Sequence, residues 1–240
     1  MCIAVINIKK ISTGISFIDD NLDGGINYGT ITLVYGEPET GKSTLTTQCA
    51  FNCALQGLKT LYVDCDNTFS PKRLAQIAGD KFDDVADRIL LLKPIDFKEQ
   101  NAVIDRISDY ITHNFGLIVI DTINSLYGAQ FAGAPNKTKA FSVNRELNRQ
   151  MAILAQTAKI HKIPIIINSQ VRSMFSDQFD SVKPVASRVL TFWADNIISL
   201  KPTDTKLVKM TIEKNHAKTS QATCYVQIGE KGMSITVFYE

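Results

Sequence analysis

From position 30 the chain reads Thr-Ile-Thr-Leu-Val-Tyr, then Gly36-Glu37-Pro38-Glu39-Thr40-Gly41-Lys42-Ser43-Thr44, then a helix-forming run. An apolar strand, a loop bounded by two glycines and closed by Lys-Ser, and a helix make up the phosphate-binding loop in its proper setting. Few local patterns restrict a fold so strongly. Gly36 and Gly41 lack a Cβ, so the backbone is free to curl and turn successive N–H groups inward. The helix that starts near Lys42 adds the positive end of its dipole. In this pattern Lys42 reaches the β- and γ-phosphates of a nucleoside triphosphate, and the Ser43 hydroxyl holds Mg²⁺.

The remainder alternates strand and helix. Strands are expected at Ile31–Tyr35, Thr60–Asp64, Ile89–Leu92, Leu117–Ile120 and Ile163–Ile167. A helix is expected from Lys42 to Gln56, stopped by Gly57. Ser70-Pro71 carries a cap followed by a first-turn proline, which opens a short helix. Val103, Ile104, Ile107 and Ile111 follow helical spacing, and so do Leu147, Met151, Leu154 and Ala158. Continuous apolar strands between helices imply a parallel sheet covered on both faces. After Asp195 the pattern changes. Ile197–Leu200, Leu207–Glu213, Thr223–Ile228 and Ser234–Phe238 are strand-like runs with turns between them, which implies antiparallel pairing. Gly128–Lys139 and Ser173–Ser187 have no clear periodicity and are expected as long, functional loops.

Composition narrows the class without naming it. The chain has 240 residues, 45% hydrophobic and 21% charged, with a formal net charge of +2. That is ordinary for a globular α/β protein, and no run is long enough to span a membrane. The near-neutral balance requires any nucleic-acid contact to come from local patches. The five cysteines, Cys2, Cys49, Cys53, Cys65 and Cys224, contain no Cys-x-x-Cys pair. Cys49 and Cys53 fall on one face of the expected helix and are read as small buried residues. Reduced thiols fit the cytoplasm.

Several strand ends carry polar groups. Asp121 closes the run Leu117-Ile-Val-Ile-Asp, where an acid supports Mg²⁺, commonly through water. Asp64 and Asp66 mark the end of the strand that begins at Thr60, and one of them could orient an attacking water. Gln170 follows Ile163–Ile167 in the same way and could sense the γ-phosphate.

These residues resemble the ATPase core of the RecA/RadA recombinase superfamily, above all the archaeal RadA paralogs of the RadB-like and RadC-like type. The resemblance rests on ordered segments: Ile11-Ser-Thr-Gly-Ile15 with Leu22-Asp-Gly-Gly25 through Gly29, Tyr62-Val-Asp-Cys-Asp66 through Arg73, Asp121 through Tyr127, Ile165 through Val171, and Lys183-Pro-Val with Leu190-Thr-Phe-Trp193. It implies a RecA-like P-loop NTPase fold, with a mainly parallel twisted sheet flanked by helices and an antiparallel C-terminal extension. Residues 1–10 would be a short N-terminal segment and 11–240 the core.

The resemblance also assigns roles. Asp66 stands where the family has its catalytic Glu, one methylene longer, so brisk hydrolysis is not expected. Gln170 matches the γ-phosphate sensor, and Arg73 an Arg that lies close to the adenine. Ser70 replaces an Arg of the family pattern, and Ala186-Ser187 replace a usual glycine pair. The two DNA-binding loops would fall at Gly128–Lys139 and Arg172–Arg188, with Lys137, Lys139, Arg172, Phe175, Lys183 and Arg188 as contacts. Lys214, His216 and Lys218 fall in a segment that reaches a neighbour's nucleotide in related ATPases. The implied ligands are ATP, Mg²⁺ and single-stranded DNA. The implied partner is the main RadA-type recombinase or another paralog, and a homo-oligomer is also allowed. The family's N-terminal DNA-binding domain and its Phe-x-x-Ala tether have no counterpart before Ile11, so filament formation by this chain alone is not expected. Two other readings stay open: a KaiC-like signalling ATPase or kinase, and an adaptor in which ATP orders a partner-binding surface with little hydrolysis.

Overall fold

The structure is a computed structural model that describes residues 10–172, 183–184, 186–216 and 221–236. Its sheet is built on Ile31–Gly36 (β1), Lys59–Asp64 (β2), Ile89–Leu92 (β3), Phe115–Asp121 (β4) and Ile165–Arg172 (β5). The two-residue Lys183–Pro184 (β6) pairs antiparallel with the end of β5. Asn196–Pro202 (β7), Val208–Lys214 (β8), Ala222–Gly229 (β9) and Gly232–Ile235 (β10) complete it. The spatial order is β10-β9-β8-β7-β1-β5-β4-β2-β3. The block from β7 to β3 is parallel, and β8, β9 and β10 extend it antiparallel. This is the expected α/β arrangement.

Strand parity divides the core. Ile31, Leu33, Leu61, Val63, Ile118, Ile120, Ile165 and Ile167 point to one face. There they meet Phe97–Asp105 (α5), Lys137–His161 (α8) and Ser187–Trp193 (α9) through residues such as Ile104, Leu147, Met151, Leu154 and Leu190. Val34, Tyr62, Leu117, Val119 and Ile166 point to the other face, onto Ser16–Asn21 (α1) and Lys42–Leu55 (α2). β1 and β4 are buried along their whole length, as central strands covered on both sides must be. Cys49 and Cys53 lie fully buried on one face of α2, as expected, and burial pushes the Cys53 thiol up to about 11. Pro71–Ala78 (α3) starts at Ser70, whose hydroxyl accepts the Arg73 N–H at 3.2 Å.

Two expectations need correction. Gly128–Lys139 is mostly helix: Ser125–Ala132 (α7), a short connection, then the start of α8 at Lys137. The side chain of Asn136 caps α8 by accepting the Lys139 N–H at 2.9 Å. α7 hid from sequence reading because it buries only Tyr127 and so has no apolar stripe. The run from Val103 to Ile111 is not one helix either. It splits at Arg106 (φ −106, ψ 15) into α5 and Ile107–Tyr110 (α6). Of the second expected loop, residues 173–182 and 185 lie outside the described residues, and Ser187 already belongs to α9.

Candidate nucleotide-binding site

The C-terminal ends of β1, β2, β4 and β5 lie side by side, and the chemistry-bearing residues of the sequence sit there or in the turns that follow. This is where open α/β sheets bind ligands. The two loop glycines are needed for different reasons. A Cβ on Gly36 would stand 2.3 Å from the Leu200 carbonyl and 2.8 Å from Thr40 Oγ1, so close packing of β1 against β7 excludes it. Gly41 has φ +89 and is the left-handed N-cap of α2. Glu39 shares the curl with φ 64. The Thr40 hydroxyl braces the loop by donating to the Glu37 carbonyl at 2.8 Å.

Lys42 is buried in the concave side of the loop. Its ammonium donates to the Gly36 carbonyl at 2.9 Å and to the Glu37 carbonyl at 2.7 Å. Burial pulls its pKa below the ordinary value, opposed by the carboxylates of Asp121, Asp66 and Glu37. A cation held here is set for a polyanion.

Asp121 ends β4 and is 2% exposed. Its Oδ2 accepts the Tyr62 hydroxyl at 2.6 Å, and that hydroxyl also lies 3.1 Å from Thr46 Oγ1 on α2. Desolvation raises the Asp121 pKa, while Tyr62, Asn168 and Ser43 favour its charged form. Its Oδ1 is buried without a hydrogen-bond partner. A buried carboxyl with a free oxygen beside a loop serine is the donor set that Mg²⁺ takes, directly or through water.

The two acids at the end of β2 separate in role. Asp64 accepts the N–H groups of Thr68 and Phe69, each at 3.0 Å, and lies 3.7 Å from the Lys93 ammonium. It builds the turn and is not free to orient water. Asp66 accepts the Thr122 hydroxyl and the Gln170 side-chain amide, the latter at 3.2 Å. The structure therefore joins Asp66 and Gln170, which are 104 residues apart in sequence. Asn124 locks the same corner: its Oδ1 accepts the Gln170 N–H at 3.0 Å, and its Nδ2 donates to the Gln170 carbonyl at 3.2 Å.

Other predicted residues lie further out. Arg73 donates to the carbonyls of Gly229 (2.8 Å) and Glu230 (3.0 Å), tying α3 to the turn between β9 and β10. That hairpin lies over the loop, with Met233 and Ile228 facing Gly41. Gln48 of α2 fixes it by accepting the Met233 N–H at 2.8 Å. Lys137 and Lys139 are exposed in the first turn of α8, and Arg188 is exposed on α9. Arg172 and Lys183 form a backbone pair between β5 and β6. Lys214 is exposed at the end of β8 and donates to the Ala194 carbonyl, and His216 lies 3.8 Å from Asp195. Phe175 and Lys218 lie outside the described residues. Sequence reading missed Tyr62, Thr122, Asn124 and Gln48. Tyr62 was visible only as a polar residue inside an otherwise apolar strand, and Asn124 only as a polar residue in the turn before α7.

The Rad51 family profile matches residues 5–235. The "DNA repair and recombination protein RadB" of Methanobrevibacter smithii is 35% identical over 211 residues, covering 86% of this chain and 87% of the relative. The protein of the same name from Thermococcus gammatolerans is 33% identical over 228 residues, covering 93% and 97%. A solved structure titled "Crystal structure of the RadB recombinase" superposes with a TM-score of 0.79 at 32% identity, covering 95% of this chain and all of that one. With a nucleotide-loop site at the strand ends and similarity along nearly its whole length, the chain belongs to the Rad51 family and is similar to its archaeal RadB members.

Proposed function

We propose that this chain is an ATP-binding recombinase paralog that acts in DNA recombination and repair in the cytoplasm. In this reading it hydrolyses ATP weakly, contacts single-stranded DNA and assists a main RadA-type recombinase or another paralog. The observation that carries it is the convergence of Lys42, Asp121, Asp66 and Gln170 at one sheet edge, in a chain that matches the Rad51 family from residue 5 to 235. Residues 11–240 serve as one ATPase core.

The loop from Gly36 to Thr44 suits ATP: its curl is forced at Gly36 and Gly41, and Lys42 already lies inside it. Lys42 pairs with the β- and γ-phosphates, and Arg73 borders the base. The Ser43 hydroxyl, and the unpartnered Asp121 Oδ1 through water, would hold Mg²⁺, which would supply charge neutralisation on the phosphates. Asp66 aligns a water and accepts its proton. Gln170 bridges Asp66 and the end of β5, so loss of the γ-phosphate is transmitted to the segment after Arg172. Thr122 and Gln170 both bond the short Asp66 side chain, which supports slow turnover.

ATP turnover with and without single-stranded DNA, at low and moderate salt, tests this. DNA-stimulated turnover with salt-sensitive binding supports a DNA-linked ATPase. ATP binding without turnover or any DNA effect favours the adaptor. A hexameric ring that phosphorylates itself and ignores DNA favours the KaiC-like reading.

A further inference from the structure

Two of the most exposed large apolar side chains among the described residues are aromatic. Phe141 on α8 is 71% exposed, and Phe192 on α9 is 74% exposed. Neither belongs to the nucleotide site. On α8, Lys137, Phe141, Arg145 and Asn148 follow one another at spacings of four, four and three, so they form one exposed stripe about 16 Å long. At its lower end Asn148 accepts the Trp193 indole N–H at 2.9 Å. Trp193 packs on the core and braces Phe192 in an edge-to-face pair, centroids 5.2 Å apart. Arg188 lies one turn before Phe192 on the same face of α9. α8 and α9 each run into the N-terminal end of a parallel strand, β5 and β7, so the two helices share a direction, starting on the side of the sheet edge that holds the nucleotide loop and running away from it.

The charge of this surface has one sign. Lys137, Arg145 and Arg188 are exposed and form no ion pair among the described residues. Glu146, the acid beside Arg145, is taken up by Arg149, whose Nε donates to it at 2.9 Å. An apolar protein partner is poorly matched by rings interleaved with cations. A single strand is well matched: its bases need aromatic faces and its phosphates need cations, both in sequence-tolerant order. A ring braced by Trp193 and Asn148 also loses little freedom on stacking.

We propose that Lys137, Phe141, Arg145, Arg188, Phe192 and Trp193 form a track for single-stranded DNA along α8 and α9. Bases stack on the Phe141 and Phe192 rings, and phosphates pair with the three cations. The track rests on the DNA-binding reading above and extends it beyond the expected loops to two helix faces.

Trp193 is the only tryptophan in the chain, so it reports directly on this surface. Full-length protein with ATP and Mg²⁺ is titrated with oligothymidylate while its emission is followed, and affinity is read separately by anisotropy of a fluorescein-labelled oligothymidylate. The expected result is a saturable change in Trp193 emission. Phe141→Ala and Phe192→Ala each weaken binding about 5-fold or more. Arg145→Gln lowers the log–log salt slope by about 0.7. All three residues are exposed, and unchanged far-ultraviolet dichroism checks that the variants fold. If the oligonucleotide binds with constant emission and both Phe variants bind like the parent, the track is wrong while the DNA reading stands. If Phe192→Ala changes sedimentation but not DNA affinity, the patch joins copies of the chain and the track is again wrong. If the parent protein binds no oligonucleotide, the DNA reading itself fails and takes the track with it.

Discussion

Tyr62→Phe isolates the contact that holds Asp121. The substitution keeps the ring, which sits 4.9 Å from Phe69 in an edge-to-face pair, and removes one oxygen. That oxygen is buried and donates at 2.6 Å to a carboxylate that is itself 2% exposed. Hydrogen bonds to charged groups contribute about 1.5–3 kcal/mol. Asp121 has no spare partner to compensate, because Oδ1 is already unpaired. A loss of about 2 kcal/mol is expected at neutral pH, which lowers Tm by roughly 4–8 °C for a chain of this size. The sign of the pH effect follows from the direction of the Asp121 shift. Burial raises its pKa in the folded state above the unfolded value, and the Tyr62 hydrogen bond opposes that rise. Removing the hydroxyl raises it further. The added penalty is present above the folded pKa and is relieved as pH falls through it, when the carboxyl becomes neutral. The gap between variant and parent therefore narrows on acidification. Thermal melts of the nucleotide-free protein across pH 5–8 measure both effects. An unchanged Tm at pH 7, or a gap that widens as pH falls, refutes the reasoning.

Gly36→Ala places a Cβ against the Leu200 backbone carbonyl and is expected to cost about 1–3 kcal/mol in urea unfolding and to weaken ATP binding; parental stability would show that β1 and β7 can part there. Asp66→Glu restores the methylene the family has and should raise kcat by about 10-fold or more, within the ~10²–10⁴ available from a general base; unchanged turnover would show that Asp66 length is not what limits it. Arg73→Ala removes the guanidinium that holds the Gly229 and Glu230 carbonyls, so amide exchange should speed up in the β9–β10 turn and not in β1; equal exchange would show that Gln48 alone secures the hairpin. Lys42→Ala should abolish ATP binding as followed by calorimetry, with the fold retained; binding within a few-fold of the parent would overturn the role given to the loop.

Much of this molecule was legible before its fold was known. The nucleotide loop is local: its strand, glycines, lysine and helix adjoin in sequence, so local geometry alone defines it. Strand periodicity in Leu117–Ile120 or Ile165–Ile167 likewise reports burial on both faces without saying which neighbour supplies it. Where packing offers no stripe, as in α7 with Tyr127 alone buried, periodicity is silent, and a helix read as a loop.

Other features arise only between segments. Asp64 and Asp66 are equivalent in sequence, two acids at the end of one strand. The fold gives one the N–H groups of Thr68 and Phe69 and the other Thr122 and Gln170, and that separates a turn-former from a candidate base. Lys214 reads as a cation free to reach a neighbour, yet the pairing of β7 with β8 turns it onto the Ala194 carbonyl. Tyr62 reads as a core aromatic until β2 and β4 pair and bring its hydroxyl to Asp121. Sequence determined which chemical groups this chain carries and where the local turns fall. Tertiary structure decided which groups are partners, because hydrogen bonds act over about 3 Å and only strand pairing brings residues so distant in the chain within that reach.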